Sequence, residues 1–573
     1  MQALALSAAL AAAPEPPLVA IEVRTLPGPL LRIDYVVPPE VDALQFLSPD
    51  PRSHSAFRAP LLRSLDGRAR LTPTHLERVL EVNRAACPRW QFEVVPQRLG
   101  LYAFYEPAQP VGEGVLLQTR HYAAVAPGLG LRWQFSALPG QRVGTAGRWA
   151  STLTLNAAPE PAAFGTAAEH AAAARRLSAD HYVFMGGGDV LRGEGFRLIS
   201  DPAVPAWLVA SIAEVGELAL ARYTAALKTP PAGEATLLVT ASATDADGAI
   251  FHGDVTAGQM IRLHFTAPAP QPDAKLRDEA ARFVAHEMAH LWHVGADTTP
   301  VQAWLHEGGA DWMAAVLLHE GRQTAPDQLG SRLRSALTGC LMEHGSTPWA
   351  RIPSRHGRAH AYQCGMLLYA LAYRVNRSQP ALSPLILVGD LLRSAPVLDQ
   401  DAFVRAVQAS AASADARRTS SAAALLRLFR DPDLALADGV REVLRALDID
   451  YAETPLSALG HSRSNAMFLI GRAACRSFVG IYLRTDHVEF DAANQCDGLP
   501  QRARVARIQD VAVPSETSLA LRRVAERCAS AVRFDLTLED GTVLTLPCPE
   551  PTRRLPSSLP QLTPAALADF IPR

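Results

Sequence analysis

A multidomain α+β protein is the fold class that this 573-residue chain predicts, and three features of the sequence lead there. Up to about residue 185, short segments rich in branched and aromatic residues alternate with Pro and Gly breaks, the signature of strands. From Trp207 to Leu447, apolar residues recur mainly on a helical period. Beyond about residue 460, strand-like segments return. The expected organisation is a signal-like or flexible lead at 1–17, a β-rich N-terminal domain at 18–185, a mostly helical domain at 186–458 and a small β-rich C-terminal domain at 459–573.

Each region has its own markers. Leu18 to Arg24, Leu30 to Val37, Trp90 to Val95 and Gly114 to Gln118 read as strands, and Pro73 to Arg84 as a helix between them. Trp207 to Leu227 is helical up to the break at Pro230 to Gly233. Ala235 to Thr240 and Gln259 to Phe265 read as strands, the latter expected at the edge of a cleft. Asp273 is a suitable N-cap for a helix running through Leu276, Phe283, Met288 and Leu291 to Gly295. Further helices are expected at Val301 to His319, Ala361 to Arg374, Asp401 to Ala411, Ser421 to Arg430 and Gly439 to Leu447. Strands follow at Phe478 to Leu483, His487 to Phe490 and Val505 to Val511, with a hairpin around Glu539-Asp540-Gly541.

Composition narrows the class of function. With 48% apolar and 20% charged residues the chain has a soluble globular profile. A net charge of −2 argues against broad attraction to nucleic acid or anionic lipid. No apolar run approaches the roughly 18 to 20 residues that span a bilayer. The start, MQALALSAALAAAPEPP, reads either as a short export signal, with Ala9-Leu10-Ala11 in a small-x-small pattern, or as a flexible lead-in. The first reading sends the protein to the periplasm or outside the cell, the second leaves it cytoplasmic. Seven cysteines favour export. Cys475, Cys496, Cys528 and Cys548 allow two disulfides in three connectivities, and Cys340 with Cys364 offers a further pair, leaving Cys87.

The chemistry centres on His286-Glu287-Met288-Ala289-His290. On a helix, a spacing of four sets both imidazoles one turn apart on one face, where they can hold a single metal ion. Glu287 falls on an adjacent flank, placed to take a proton from a metal-activated water without being a ligand. Residue frequencies yield this pattern by chance in only about 1–2% of chains this long, so context has to decide. A catalytic zinc site needs three protein ligands and one open position.

The next helix carries Trp304-Leu305-His306-Glu307-Gly308-Gly309-Ala310-Asp311. This segment resembles the W-L-x-E-G-x-A motif of gluzincin zinc metallopeptidases, notably the aminopeptidase N-like and glycyl aminopeptidase-like families. The resemblance implies a thermolysin-like catalytic domain, one zinc ion and Glu307 as its third ligand. Sixteen residues lie between His290 and Glu307, slightly fewer than is usual in aminopeptidase N relatives. By resemblance to thermolysin-like enzymes, Asp311 orients the first metal-bound imidazole, His286. Farther on, Tyr362-Gln363-Cys364-Gly365-Met366-Leu367-Leu368 looks like the Y-x-x-G-x-x-L-L segment whose tyrosine stabilises the oxyanion. The metzincin pattern is excluded, because His293 and Ala296 stand where it requires Gly and His. His293 is expected beside the site and not on the metal, since a fourth protein ligand would close it to water.

One departure bears on substrate. Gly248-Ala249-Ile250-Phe251-His252 resembles the G-G-L-E-H strand of these families, with Phe251 where a glutamate would bind the substrate's free amine. Phe251, His252 and Gly253 are the expected substrate contacts, the substrate being a peptide. The activity implied is peptide hydrolysis, as an aminopeptidase or an oligopeptidase, with hydrolysis of a non-peptide substrate and non-catalytic peptide binding as the competing readings. These families often carry a PDZ module after the catalytic domain, but no G-L-G-F-type loop stands in 459–573.

Overall fold

The computed structural model describes the strands and a few adjoining residues between 18 and 185. From 190 it describes every residue except 232–233, 243–249, 256–259, 267–270, 294–302, 324–326, 353–358, 377–383, 395–397, 413–415, 456–466, 468–469, 472–479, 485, 492–497, 501, 550–557, 569 and 571–573. Two compact units divide it: residues 1–189 with 256–258, and 190–255 with 259–573.

The first unit is built from strands. Its largest sheet runs Thr152–Leu155, Arg132–Leu138, Leu18–Thr25, Leu31–Val36, Arg89–Val94, Leu62–Ser64 in spatial order. Ile21, Val23, Leu31, Ile33, Tyr35, Phe92 and Val94 are buried along it. Within the stretch 73–84, expected as a helix, Arg78–Val82 is instead a strand that pairs antiparallel with Ala69–Pro73, Leu71 facing Leu80. Pro73 ends the first strand and does not open a helix. A further strand, Ala43–Phe46, adds its backbone hydrogen bonds to the ladder on the other side of Arg78–Val82. Cross-strand pairing outweighs the weak local helical period.

The second unit opens with a five-stranded sheet ordered β1 (Val190–Gly193), β2 (Phe196–Ser200), β3 (Ala235–Ser242), β5 (Met260–Thr266), β4 (Ile250–Val255). The β2–β3 and β3–β5 pairs are parallel and β4–β5 is antiparallel. Thus β5, expected at the edge of the cleft, is an inner strand, and β4 is the outer one. Helix α1 (Ala206–Leu227) connects β2 to β3 and buries Leu208, Ile212, Val215, Ala219 and Tyr223, a spacing of three and four that makes one face.

Helix α2 (Ala274–Ala289) starts where Asp273 accepts a hydrogen bond from the Leu276 amide at 2.7 Å. It tightens into a 3₁₀ turn, His290–Trp292, earlier than the expected end at Gly295. The Trp292 indole donates to the Thr229 carbonyl at 2.7 Å and fixes that turn against the end of α1. Then come α3 (Ala303–Glu320), α4 (Gln328–His344), a π-helical turn at Ala359–Cys364 and α5 (Gly365–Asn376). Helices at Leu385–Ser394, Gln400–Ala412, Ala416–Arg430 and Leu436–Ala446 complete the helical part. Trp304 and Trp312, both on α3, are among the largest fully buried side chains, so α3 is the central helix of this core.

The last stretch departs from expectation in its secondary structure. A helix, Thr517–Ser530, stands among strands Gly480–Leu483, Val488–Asp491, Ala503–Ile508, Arg533–Leu538 and Val543–Pro547. Contacts also group 459–573 with the helical part in one unit, because Ser558–Leu562 returns to pair with Tyr451–Pro455. The Leu538–Val543 connection forms the expected hairpin, with Gly541 at positive φ in its turn.

Candidate metal centre

Helix geometry puts the two histidines of α2 in line, and α3 crosses α2 so that Glu307 meets them. The His286 Nε2 and His290 Nε2 atoms are 3.2 Å apart. Glu307 Oε2 lies 3.2 Å from His286 Nε2 and 3.6 Å from His290 Nε2. A tetrahedral zinc with bonds of about 2.0–2.1 Å requires donor-to-donor edges of roughly 3.3–3.4 Å. The three edges match that triangle, and two imidazoles with one carboxylate are a donor set suited to zinc.

A second group whose donor atoms converge, Asp486, His487 and Glu539, lies by the C-terminal sheet. There both carboxylates meet the same Nδ1 of His487, at 2.8 and 2.9 Å. Those are the lengths of charge-assisted hydrogen bonds to one N–H, so an ion pair accounts for this group without a metal.

Asp311, one turn after Glu307 on α3, reaches the far nitrogen of His286 at 3.0 Å. The same carboxylate oxygen accepts from Arg282 at 3.1 Å, one turn before His286 on α2. The resulting Arg282–Asp311–His286 chain fixes the ring so that Nε2 points at the other donors. Arg282 was not foreseen from the sequence; its place four residues before His286 was the available signal. Burial opposes protonation of His286, yet the hydrogen bonds to Asp311 and Glu307 outweigh it and raise the imidazolium to about 10. A metal cation bound at the same atoms takes the place of that proton. Burial likewise works against ionised Glu307, but hydrogen bonds from His286 and His290 hold its carboxyl well below the usual range.

His290 is served differently. Its Nδ1 lies 3.3 Å from Nδ1 of His293, a buried ring. Burial first, and neighbouring His290 and His306 next, push His293 well below the usual histidine range. It therefore stays neutral and can accept a hydrogen bond from His290, which leaves Nε2 of His290 for a metal.

Glu287 is buried beside the three donors and outside the triangle they form. Burial raises its carboxyl, with His286 and His290 pulling the other way. Gly253 on β4 faces it, since a Cβ built there would lie 2.5 Å from Cδ of Glu287. The carboxyl thus rests against the strand in space that only glycine leaves open. Phe251, two residues earlier on the same face of β4, packs on Phe265 (ring centroids 5.3 Å) and stacks on Phe283 of α2 (5.6 Å). His252 alternates to the opposite face, across from His264 on β5. Of the three expected substrate contacts, Gly253 is the one that touches the site. Tyr362, on the π-helical turn, stacks its ring over His286 at 5.8 Å and 24°. π-Turns of this kind recur at functional sites.

No protein-family model matches the sequence, and no curated protein matches it. Several solved structures are similar to the chain. An aminopeptidase N family protein from Idiomarina loihiensis is 13% identical, with a TM-score of 0.48, over 96% of this chain and 100% of that one. An M1 zinc metallopeptidase from Deinococcus radiodurans is 16% identical, with a TM-score of 0.37, over 73% of this chain and 94% of that one. A mutant of the latter bound to a Tyr-Ser-Ala substrate gives 15% identity and the same TM-score and coverage. Solved structures similar to this chain thus include aminopeptidase N family and M1 zinc metallopeptidases.

Proposed function

We propose that the protein is a zinc-dependent peptidase of gluzincin type, with His286, His290 and Glu307 as metal ligands and Glu287 as general base. The observation that carries this reading is the triangle of donor atoms with 3.2, 3.2 and 3.6 Å edges, flanked by a carboxylate that is not part of it. Bound there, zinc would supply a Lewis acid and bring the pKa of a water it holds towards ~7. Glu287 would accept a proton from the attacking water and later pass it to the leaving amine nitrogen. The burial that raises its carboxyl strengthens it as the base in the first half of that cycle. Tyr362 donates from its hydroxyl to the carbonyl oxygen of the scissile bond as charge develops there. The outer strand β4 offers its edge to an extended peptide, in the manner of an added strand.

The substrate class follows from Phe251. A phenyl packed on Phe265 and Phe283 stands where the resembled aminopeptidases place an amine-binding glutamate. That favours internal or acyl-blocked peptide segments over strict trimming of a free N-terminus. The disulfides Cys340–Cys364 and Cys528–Cys548 support an oxidising location such as the periplasm or the extracellular space. Cys87, Cys475 and Cys496 lie outside the described residues. Among the described residues, no helix is long and apolar enough to cross a membrane.

The test is Glu287→Gln. It should abolish peptide hydrolysis while the protein keeps one zinc per chain; hydrolysis that survives the substitution refutes the assignment. Comparing a free peptide with its N-acetylated form then separates the two modes, and the acetylated peptide should be cleaved at least as well.

A further inference from the structure

Tyr362 belongs to a turn held from two sides. On one side is α4: Cys340 is joined by a disulfide to Cys364, two residues after Tyr362. Gly339, next to Cys340, has no side chain, and the Gln363 side chain occupies the place its Cβ would take. On the other side is α3, where a Cβ on Gly308 would collide with the Gly365 backbone and one on Gly365 with the Trp304 carbonyl. Gly308 directly follows Glu307 and Gly365 directly follows Cys364. The segment presenting Tyr362 is therefore pinned by a covalent bond to α4 and by bare backbone contact to the helix that carries Glu307. Both sulfurs are buried, with Cys340 1% and Cys364 0% exposed.

We propose that the Cys340–Cys364 disulfide is a positioning element for Tyr362, so that turnover and not substrate binding depends on it. This rests on the peptidase reading above. A π-turn has no intrinsic stability to keep it in register, because its i→i+5 hydrogen bonding is the least favoured of the helical forms. The disulfide ties its last residue to helix α4, and the tyrosine ring is thereby kept stacked on His286. Without the bond, the turn can relax towards ordinary α-helix. A change of register there rotates Tyr362 off His286, while α2 and α3 retain the ligands.

The experiment compares wild type, Cys340→Ala/Cys364→Ala, Tyr362→Phe and the triple variant. Expected are a loss of kcat of at least ten-fold on removing the disulfide, KM within two-fold of wild type and an unchanged zinc content. In the Tyr362→Phe background, the same cysteine changes should alter kcat by less than two-fold. A folded disulfide-free protein with wild-type kcat, or equal losses in the two backgrounds, overturns the proposal. Should the double alanine variant fail to fold, Cys340→Val/Cys364→Ala refills the volume of the sulfurs and is judged by the same criteria. If the wild type cleaves no peptide, the peptidase reading falls by itself. The positioning claim is then judged from a crystal structure of the disulfide-free protein, where a Tyr362 ring displaced from His286 supports it and an undisturbed stack refutes it.

Discussion

Asp311 and His293 do the same job for the two histidines by different chemistry, a carboxylate for His286 and a neutral ring for His290. The carboxylate fixes its partner more strongly, because it holds both the His286 N–H and the Arg282 guanidinium. Asp311→Asn should therefore weaken zinc binding about 10–100-fold, measured by competition with a chelator, without unfolding the protein. A proton enters the same balance. With His286 raised to about 10, the metal-free ring is protonated at pH 7. Zinc must displace that proton, so binding at pH 7 should release it and affinity should rise with pH. Calorimetric titrations in buffers of different ionisation enthalpy would detect the release; a buffer-independent enthalpy would count against it. At this scale the grouping of the histidine pair with Glu287 was legible from helical spacing, and that of Glu307 and Asp311 from the resemblance of their segment to the gluzincin motif. Arg282 was not, and Gly253 was expected as a substrate contact and not as the backing of Glu287. Their roles exist only where α2 meets Asp311 and where β4 meets Glu287, and neither approach is encoded locally.

The elements that build the site were mostly legible for the same reason. Helices α1, α2 and α3 have unbroken apolar faces, and Asp273 marks the start of α2 as a cap. Helix α4 was not foreseen, although Leu329, Leu333, Ala336, Leu337, Cys340, Leu341 and His344 form a buried stripe along it. Gly330 and Gly339 interrupt that stripe, and no side chain caps its first turn. Those glycines serve packing instead of propensity, which is visible only with the neighbours in place. The π-turn was read as plain helix, since sequence periodicity does not distinguish one wide turn from the α-helix that follows. Close helix approach predicts a specific sensitivity. Gly308→Ala pushes a methyl into the Gly365 backbone, which cannot give way as a side-chain tip can. Overpacking of this kind costs about 1–3 kcal/mol or more, which should appear as a lower midpoint of chemical denaturation. It should also impair turnover, because Glu307 and Tyr362 flank the point of contact.

For the second unit as a whole, the decisive feature is the return of the chain's last residues to its helical part. Ser558–Leu562 pairs with Tyr451–Pro455, Gln561 hydrogen-bonds Thr338 of α4 at 3.1–3.2 Å, and Leu567 lies against Gly330 at the start of the same helix. Leu559, Leu562, Leu567 and Phe570 are all buried there. Neither Tyr451–Pro455 nor Ser558–Leu562 was expected as a strand, because pairing across a hundred residues leaves no local trace. The consequence reaches the site, since α4 carries Cys340 and through it the turn of Tyr362. Exposing four large apolar side chains costs about 6–12 kcal/mol by area, comparable with the whole net stability of a domain. A chain ending at residue 557 should therefore lose cooperative unfolding of the second unit and, with it, stoichiometric zinc. If such a chain kept both its denaturation midpoint and its metal, the tail would be peripheral, and the contacts of α4 with α3, α5, the π-turn and the Leu436–Ala446 helix would suffice to hold it.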